Sequence, residues 1–189
     1  MSVIEYIILS FALAVPLEVT LRGCALKNPI RLTRGLAVSL LLAFEHTALM
    51  AAGIYIGNLL RFDLPEYDNL VYLGLLLVVA LRLFFAAFRK KDRELPPYDI
   101  SRWGTVLLLG VATGVNTLFV GMGLGFRVYL SADFWKVSVP LLLMVFLLGY
   151  WGIMLGRRNK EIRQRRWQLV AVLFLLAFAI KGAFFGETM

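Results

Sequence analysis

Cysteine occurs once, at Cys24, and histidine once, at His46. A lone cysteine excludes an internal disulfide and any metal centre built from cysteines of one chain. With a single histidine there is no His cluster, no Ser–His–Asp set and no paired cytoplasmic carboxylates, so an enzyme is not expected. No resident cofactor is expected either. Charge is also scarce. Charged residues make up 17% of the 189 residues and apolar ones 60%, whereas soluble domains run nearer a quarter and a half. That balance excludes a water-soluble globular fold, and its hydrophobicity excludes disorder.

What remains is a chain of mean hydropathy +0.79. A helix crossing ~30 Å of hydrocarbon takes about 20 residues, so the length fits six spans and no separate soluble domain. The apolar runs predict them at Ile4–Leu26, Gly35–Leu60, Leu70–Phe88, Trp103–Phe126, Val137–Leu155 and Gln168–Phe185. Pro29, Pro65, Pro96 and Pro97 fall in the polar separators, as helix breakers should. The first run has no basic n-region and no small-residue cleavage site, so it reads as a span rather than a signal peptide. The expected fold is an all-α integral membrane protein, one domain over residues 1–189.

The net charge of +8 would suggest nucleic acid in a soluble protein, but no folded basic module supports that partner. Seventeen of the twenty basic residues sit in loops. Separators one, three and five carry fourteen, from Lys27 to Arg166, and separators two and four carry three: Arg61, Arg127 and Lys136. The positive-inside rule then places the odd-numbered loops in the cytoplasm and both termini outside, in an inner membrane. Anionic lipid beside those loops accounts for the basic runs.

The two halves, about 1–90 and 101–189, repeat. At an offset of 100, Pro16 faces Asn116, Gly23 faces Gly123 and Ala25 faces Gly125. At an offset of 99, Gly53 and Gly57 face Gly152 and Gly156, and Arg82 faces Lys181. Three spans per half is an odd number, so the second copy enters the membrane from the opposite side. Inverted three-helix repeats point to a secondary transporter with its site near the midplane. The pairs Gly53/Gly57, Gly110/Gly114, Gly121/Gly125 and Gly152/Gly156 allow close helix approach. Packing within the chain is one use for those faces; a homodimer seam or a narrow substrate path is the alternative.

Ionisable residues inside spans are costly and commonly functional. They are Glu18, Arg22, Glu45, His46, Arg82 and Lys181, with Asn116 and Thr117 adding polarity to the fourth span. Glu18 and Arg22 share a helix face and can neutralise each other. Arg82 and Lys181 lie near span ends, where they can snorkel. His46 points about 100° away from Glu45 and reads as a helix–helix contact. Glu45 has no basic neighbour one turn away, so it needs a proton, a cation or a group from another helix. Pro16 cannot donate to the Ala12 carbonyl, which frees an oxygen near Glu18 and, by the repeat, opposite Asn116.

The run Asn116–Phe126 with its glycine rhythm, Asn28–Pro29 followed by Glu45, the Leu81–Arg82 pair and Gly152–Arg157 resemble the small six-span manganese efflux pumps of the MntP type, within the lysine-exporter-like superfamily. The resemblance covers nearly the whole chain. It implies export of a divalent cation such as Mn2+, with Glu45 and Asn116 at metal-binding positions and Pro16, Glu18 and Thr117 beside them. It also implies departures. The family's first-span and fourth-span acidic positions fall on Pro16 and Asn116, and only the second-span one is kept, as Glu45. Manganese favours hard oxygen donors, so export of another small solute, such as a cationic amino acid, stays open. A six-helix subunit of a redox complex would need a second-half partner for Cys24, and there is none.

Overall fold

The computed structural model describes residues 3–63, 67–88, 98–126, 134–158 and 164–185. Six helices follow in order: α1 Val3–Lys27, α2 Leu32–Asp63, α3 Asp68–Phe88, α4 Trp103–Gly125, α5 Phe134–Arg157 and α6 Gln164–Phe185. Five of the expected spans lie inside a helix, and the fourth overruns α4 by one residue, Phe126, which is its C-cap. Five of the six are long and apolar enough to cross a membrane, and the described apolar stretch of α6 is the shorter Gln168–Ala177.

Several helices outrun their apolar cores. α2 begins at Leu32 and ends at Asp63, beyond the expected Gly35–Leu60. Its polar ends are held by partners. At the start, Arg34 donates to the Ser101 carbonyl and lies over the Trp103 ring, 5.0 Å from its centre. At the end, Arg61 pairs with Asp68 of α3 at 3.0 Å. Pro140 lies inside α5, where it removes one helical hydrogen bond near the first turns. The segments carrying Pro65, Pro96 and Pro97 fall outside the described residues, with Arg89, Lys90, Lys91, Arg93, Arg127, Lys160 and Arg163, as does the side chain of Lys181.

Each helix presents large apolar side chains outward: Ile4 on α1, Phe44 on α2, Phe85 on α3, Leu108 on α4, Trp151 on α5 and Leu173 on α6, all at least half exposed. Exposure on that scale suits lipid rather than water. Inside, α1 packs on α5 and α2 packs on α4; α2 also meets α5, α3 meets α6 and α4, and α1 meets α6 and touches α4.

Glycines set the two tightest crossings. A Cβ at Gly53 would meet the Leu118 carbonyl, and one at Gly57 would lie 2.9 Å from the Gly125 Cα and against the Met122 carbonyl. On the other side of the molecule, a Cβ at Gly152 would lie 2.7 Å from the Glu18 carbonyl and one at Gly156 2.5 Å from the Arg22 carbonyl. Backbone cannot yield as a flexible side chain can, so these faces are filled from within the chain. The rising numbers on both sides show α2 parallel to α4 and α1 parallel to α5. Gly35 against Ile153 and Gly149 against Ser39 show α2 antiparallel to α5.

The turn before α4 carries the clearest titration outside the helices. The Asp99 carboxylate accepts the Ser101 N–H at 2.9 Å. Hydrogen bonds from Ser101, then the charges of Arg102 and Arg34, hold its pKa below the usual carboxylate value. A depressed carboxylate stabilises the folded turn above its ordinary pKa, and that contribution is lost as pH falls through the folded value. Amide exchange at Ser101 is therefore expected to be faster, after correction for intrinsic rates, at pH 3 than at pH 6. In Asp99→Asn that pH dependence should be absent.

Candidate functional site

The α2–α4 and α1–α5 crossings hold Glu45, His46, Glu18 and Arg22, ionisable groups of the interior. Fully or nearly buried among the described residues are Ser10, Glu18, Arg22, Ser39, His46, Asn116, Thr117 and Ser138. Each needs a reason to be there, because a polar group in hydrocarbon costs free energy unless it is partnered.

At the α2–α4 crossing, Glu45 and His46 both reach α4. The Glu45 carboxylate lies where a side chain at Gly110 would be, and its Oε2 is buried with no hydrogen-bond partner. The His46 ring lies 3.7 Å from the Cβ position of Gly114, one turn further along. Gly110-x-x-x-Gly114 therefore accommodates side chains of α2, Glu45 and Leu42 at the first glycine and Leu49 and His46 at the second, and is not a backbone-to-backbone crossing. The expectation of close helix approach holds for the other three glycine pairs but not in that form for this one. His46 is fully buried, with Nδ1 3.1 Å from Thr117 Oγ1 and Nε2 3.2 Å from Thr113 Oγ1.

At the α1–α5 crossing, Glu18 and Arg22 are 7% and 5% exposed, and their charged groups approach to 3.9 Å. The one-turn spacing on α1 explains the pairing. Both residues lie against the glycine face of α5, at Gly152 and Gly156. Pro16 is one turn before Thr20, whose hydroxyl donates to the Pro16 carbonyl at 2.8 Å. Ala12, whose carbonyl loses its helical donor to the proline ring, is fully buried.

Asn116 is 8% exposed, and its Oδ1 has no partner. It is seven residues from Gly123, hence on the same face of α4, and Gly123 lies against Tyr72 and Leu75 of α3. Thr117, by contrast, faces α2. The structure thus brings Thr117 to His46 and Glu45 to Gly110, while Asn116 sits on the α3 side of α4. Pro16 and Glu18 are on α1. Among the described residues, no three His, Cys, Asp or Glu side chains converge as a metal cluster. Carbonyl, hydroxyl and amide oxygens are the other hard donors available.

Thr113, Ser39 and Ser138 were not singled out by sequence reasoning. Ser39 and Ser138 are separated by the repeat offset of 99, and both hydroxyls are buried without a partner. The spacing was a usable signal, but serine in a helix is too common to stand out.

A family model described as Mntp, "Putative manganese efflux pump", matches residues 29–182. The chain belongs to this family. The match includes Glu45, His46, Asn116 and Thr117 and begins after Pro16 and Glu18. Relatives carrying the same description with the name MntP include one from Nitrosomonas eutropha, 24% identical over 82% of this chain and 83% of its own. Another, from Nitratidesulfovibrio vulgaris, is 26% identical over 91% of this chain and 82% of its own. A third, from Oleidesulfovibrio alaskensis, is 28% identical over 71% and 69%. No solved structure matches the chain. Family membership and the apolar helices make this an integral membrane protein.

Proposed function

We propose that the chain exports a divalent cation, manganese in the first place, by exchanging it for protons at Glu45. The observation that carries this reading is the unpartnered Glu45 carboxylate oxygen buried at the α2–α4 crossing, in a member of a family described as manganese efflux pumps. Export must be driven. Moving a +2 ion outward against ~100 mV costs about 2.3 kcal/mol for each charge, so a passive pore would leak it inward. A carboxylate that binds either a proton or a cation can couple the two flows. The cation is the cargo, and both termini lie outside in an inner membrane.

The packing pattern supports two inverted repeats. Exchanging α1 with α4, α2 with α5 and α3 with α6 leaves the set of packed pairs unchanged. The glycine contacts obey the offsets found in the sequence: Gly53 on Leu118 corresponds to Gly152 on Glu18, and Gly57 on Met122 to Gly156 on Arg22. Because α2 runs with α4 and against α5, which runs with α1, α4 runs opposite to α1. Such repeats rock about a shared centre in secondary transporters.

The manganese content of cells with and without the protein tests the cargo. Lower content in expressing cells is expected, and unchanged content contradicts the reading. Orientation is tested by single cysteines at Arg163 and Thr188 in a Cys24→Ser background. A membrane-impermeant reagent applied outside should label position 188 and spare position 163; the reverse pattern inverts every loop.

One observation favours a different small cationic solute: Asn116 stands at a position where the family resemblance implies a carboxylate, and its Oδ1 is unpartnered. Asn116→Asp adds a second negative charge and is expected to strengthen manganese protection. If only the variant protects cells, the natural cargo is not manganese.

A further inference from the structure

Thr113 Oγ1 donates its proton to the Leu109 carbonyl at 2.8 Å, so towards His46 it can only accept. Nε2 of His46 therefore carries the hydrogen and donates to Thr113, 3.2 Å away. Nδ1 is left with the lone pair and accepts the Thr117 hydroxyl, 3.1 Å away. The bonds run in one direction, from Thr117 through the imidazole to Thr113 and the backbone of α4, and both ring nitrogens are satisfied. A neutral imidazole held at both edges resists rotation and sliding of α2 against α4.

Glu45 is the adjacent residue on α2, about 100° around the helix. Both side chains meet α4, one over Gly110 and the other beside Gly114, so α4 lies between their two directions. A modest roll of α2 either way would lift one of them off. The angle fixed by the imidazole is thus also the angle at which the Glu45 carboxylate overlies Gly110. A Cβ at Gly110 would displace the carboxylate from its place, and one at Gly114 would push the Leu49 side chain aside.

We infer that His46, clamped by Thr113 and Thr117, is the positioning residue that seats the Glu45 carboxyl over Gly110 for cation exchange. This rests on the reading of Glu45 as the exchange site. Groups that orient a metal ligand commonly change metal affinity by about 10–100-fold when removed; His46 would act on Glu45 through the helix contact, since its own hydrogen bonds go to Thr113 and Thr117. In proteoliposomes of the full chain, His46→Ala is expected to raise the KM for Mn2+ about tenfold or more, with a much smaller change in kcat per folded protein. Thr117→Val should move KM in the same direction. His46→Gln, whose amide reaches the Thr113 hydroxyl, should recover part of the loss. Less folded protein with an unchanged KM would mean that His46 only packs, and would overturn the inference.

A second measurement does not depend on the cargo. A hydrophobic carbodiimide modifies membrane-buried carboxyl groups, and mass spectrometry locates the adduct. Without manganese, Glu45 should be modified several-fold faster in His46→Ala than in wild type, because its carboxyl leaves the α4 surface. Equal rates overturn the positioning role. If wild type carries no Mn2+ but the rates differ, the cargo assignment fails and the positioning role stands.

Discussion

Gly57→Leu is expected to abolish the accumulation of folded protein in the membrane. Any side chain at this position points at the Met122 carbonyl and the Gly125 Cα of α4, the latter at 2.9 Å from a Cβ. The obstruction is backbone, so relief requires α2 and α4 to separate along their whole crossing. Overpacking a well-fitted interior by a methylene or two already costs about 1–3 kcal/mol, and leucine adds far more volume. Gly57→Ala should show that smaller cost as an earlier thermal transition in detergent. Gly74, with nothing within 4 Å of its Cβ position, provides the control. There alanine should be neutral or stabilising by up to about 1 kcal/mol, because it improves helix propensity. Equal thermal shifts for Gly57→Ala and Gly74→Ala would contradict the crossing described above.

Glu45→Gln is expected to abolish transport while leaving the protein folded. The amide keeps the size of the carboxyl and fits the same place over Gly110, but it does not titrate and carries no negative charge to hold a cation. The buried oxygen at this position has no partner to lose, so little destabilisation should accompany the change. The contrast with Glu18→Gln is informative. There the carboxylate faces Arg22 at 3.9 Å in a nearly buried pair, and neutralising one member of such a pair is costly. Glu18→Gln should chiefly lower the yield of folded protein, and Glu45→Gln chiefly the transport rate per folded molecule.

The spans were legible in the sequence because apolar runs of the right length have no other stable home. Their ends were less so. Arg34 and Arg61 look like loop residues, yet partners on α4, its preceding turn and α3 keep them helical. The glycine spacings at Gly53/Gly57 and Gly152/Gly156 indicated close approach but not which helix would approach. That depends on the three-dimensional arrangement, which pairs α2 with α4 and α1 with α5.

At the site, Glu45 stood out because an ionisable group in a span with no local partner is rare. His46, about 100° from Glu45, reads from the sequence as a helix–helix contact, and its bonds to Thr113 and Thr117 of α4 make it one. The angle is real, but a partner helix lying between the two directions receives both. Thr113 gave no signal, since a threonine that bonds its own helix backbone reads as neutral until a neighbour uses its oxygen. Asn116 and Thr117 are adjacent in sequence and together add polarity to the fourth span. On α4 they face different neighbours, the first towards α3 and the second towards α2.

Proton-coupled export of a divalent cation through Glu45 can be measured in inside-out membrane vesicles carrying the full chain. The vesicles are energised with an inside-acid proton gradient, and uptake of radioactive Mn2+ is followed with and without a protonophore. Wild type should accumulate the ion, lose that accumulation when the gradient is collapsed, and show none with Glu45→Gln at equal protein level. Uptake by Glu45→Gln equal to wild type, or accumulation indifferent to the gradient, would contradict the account.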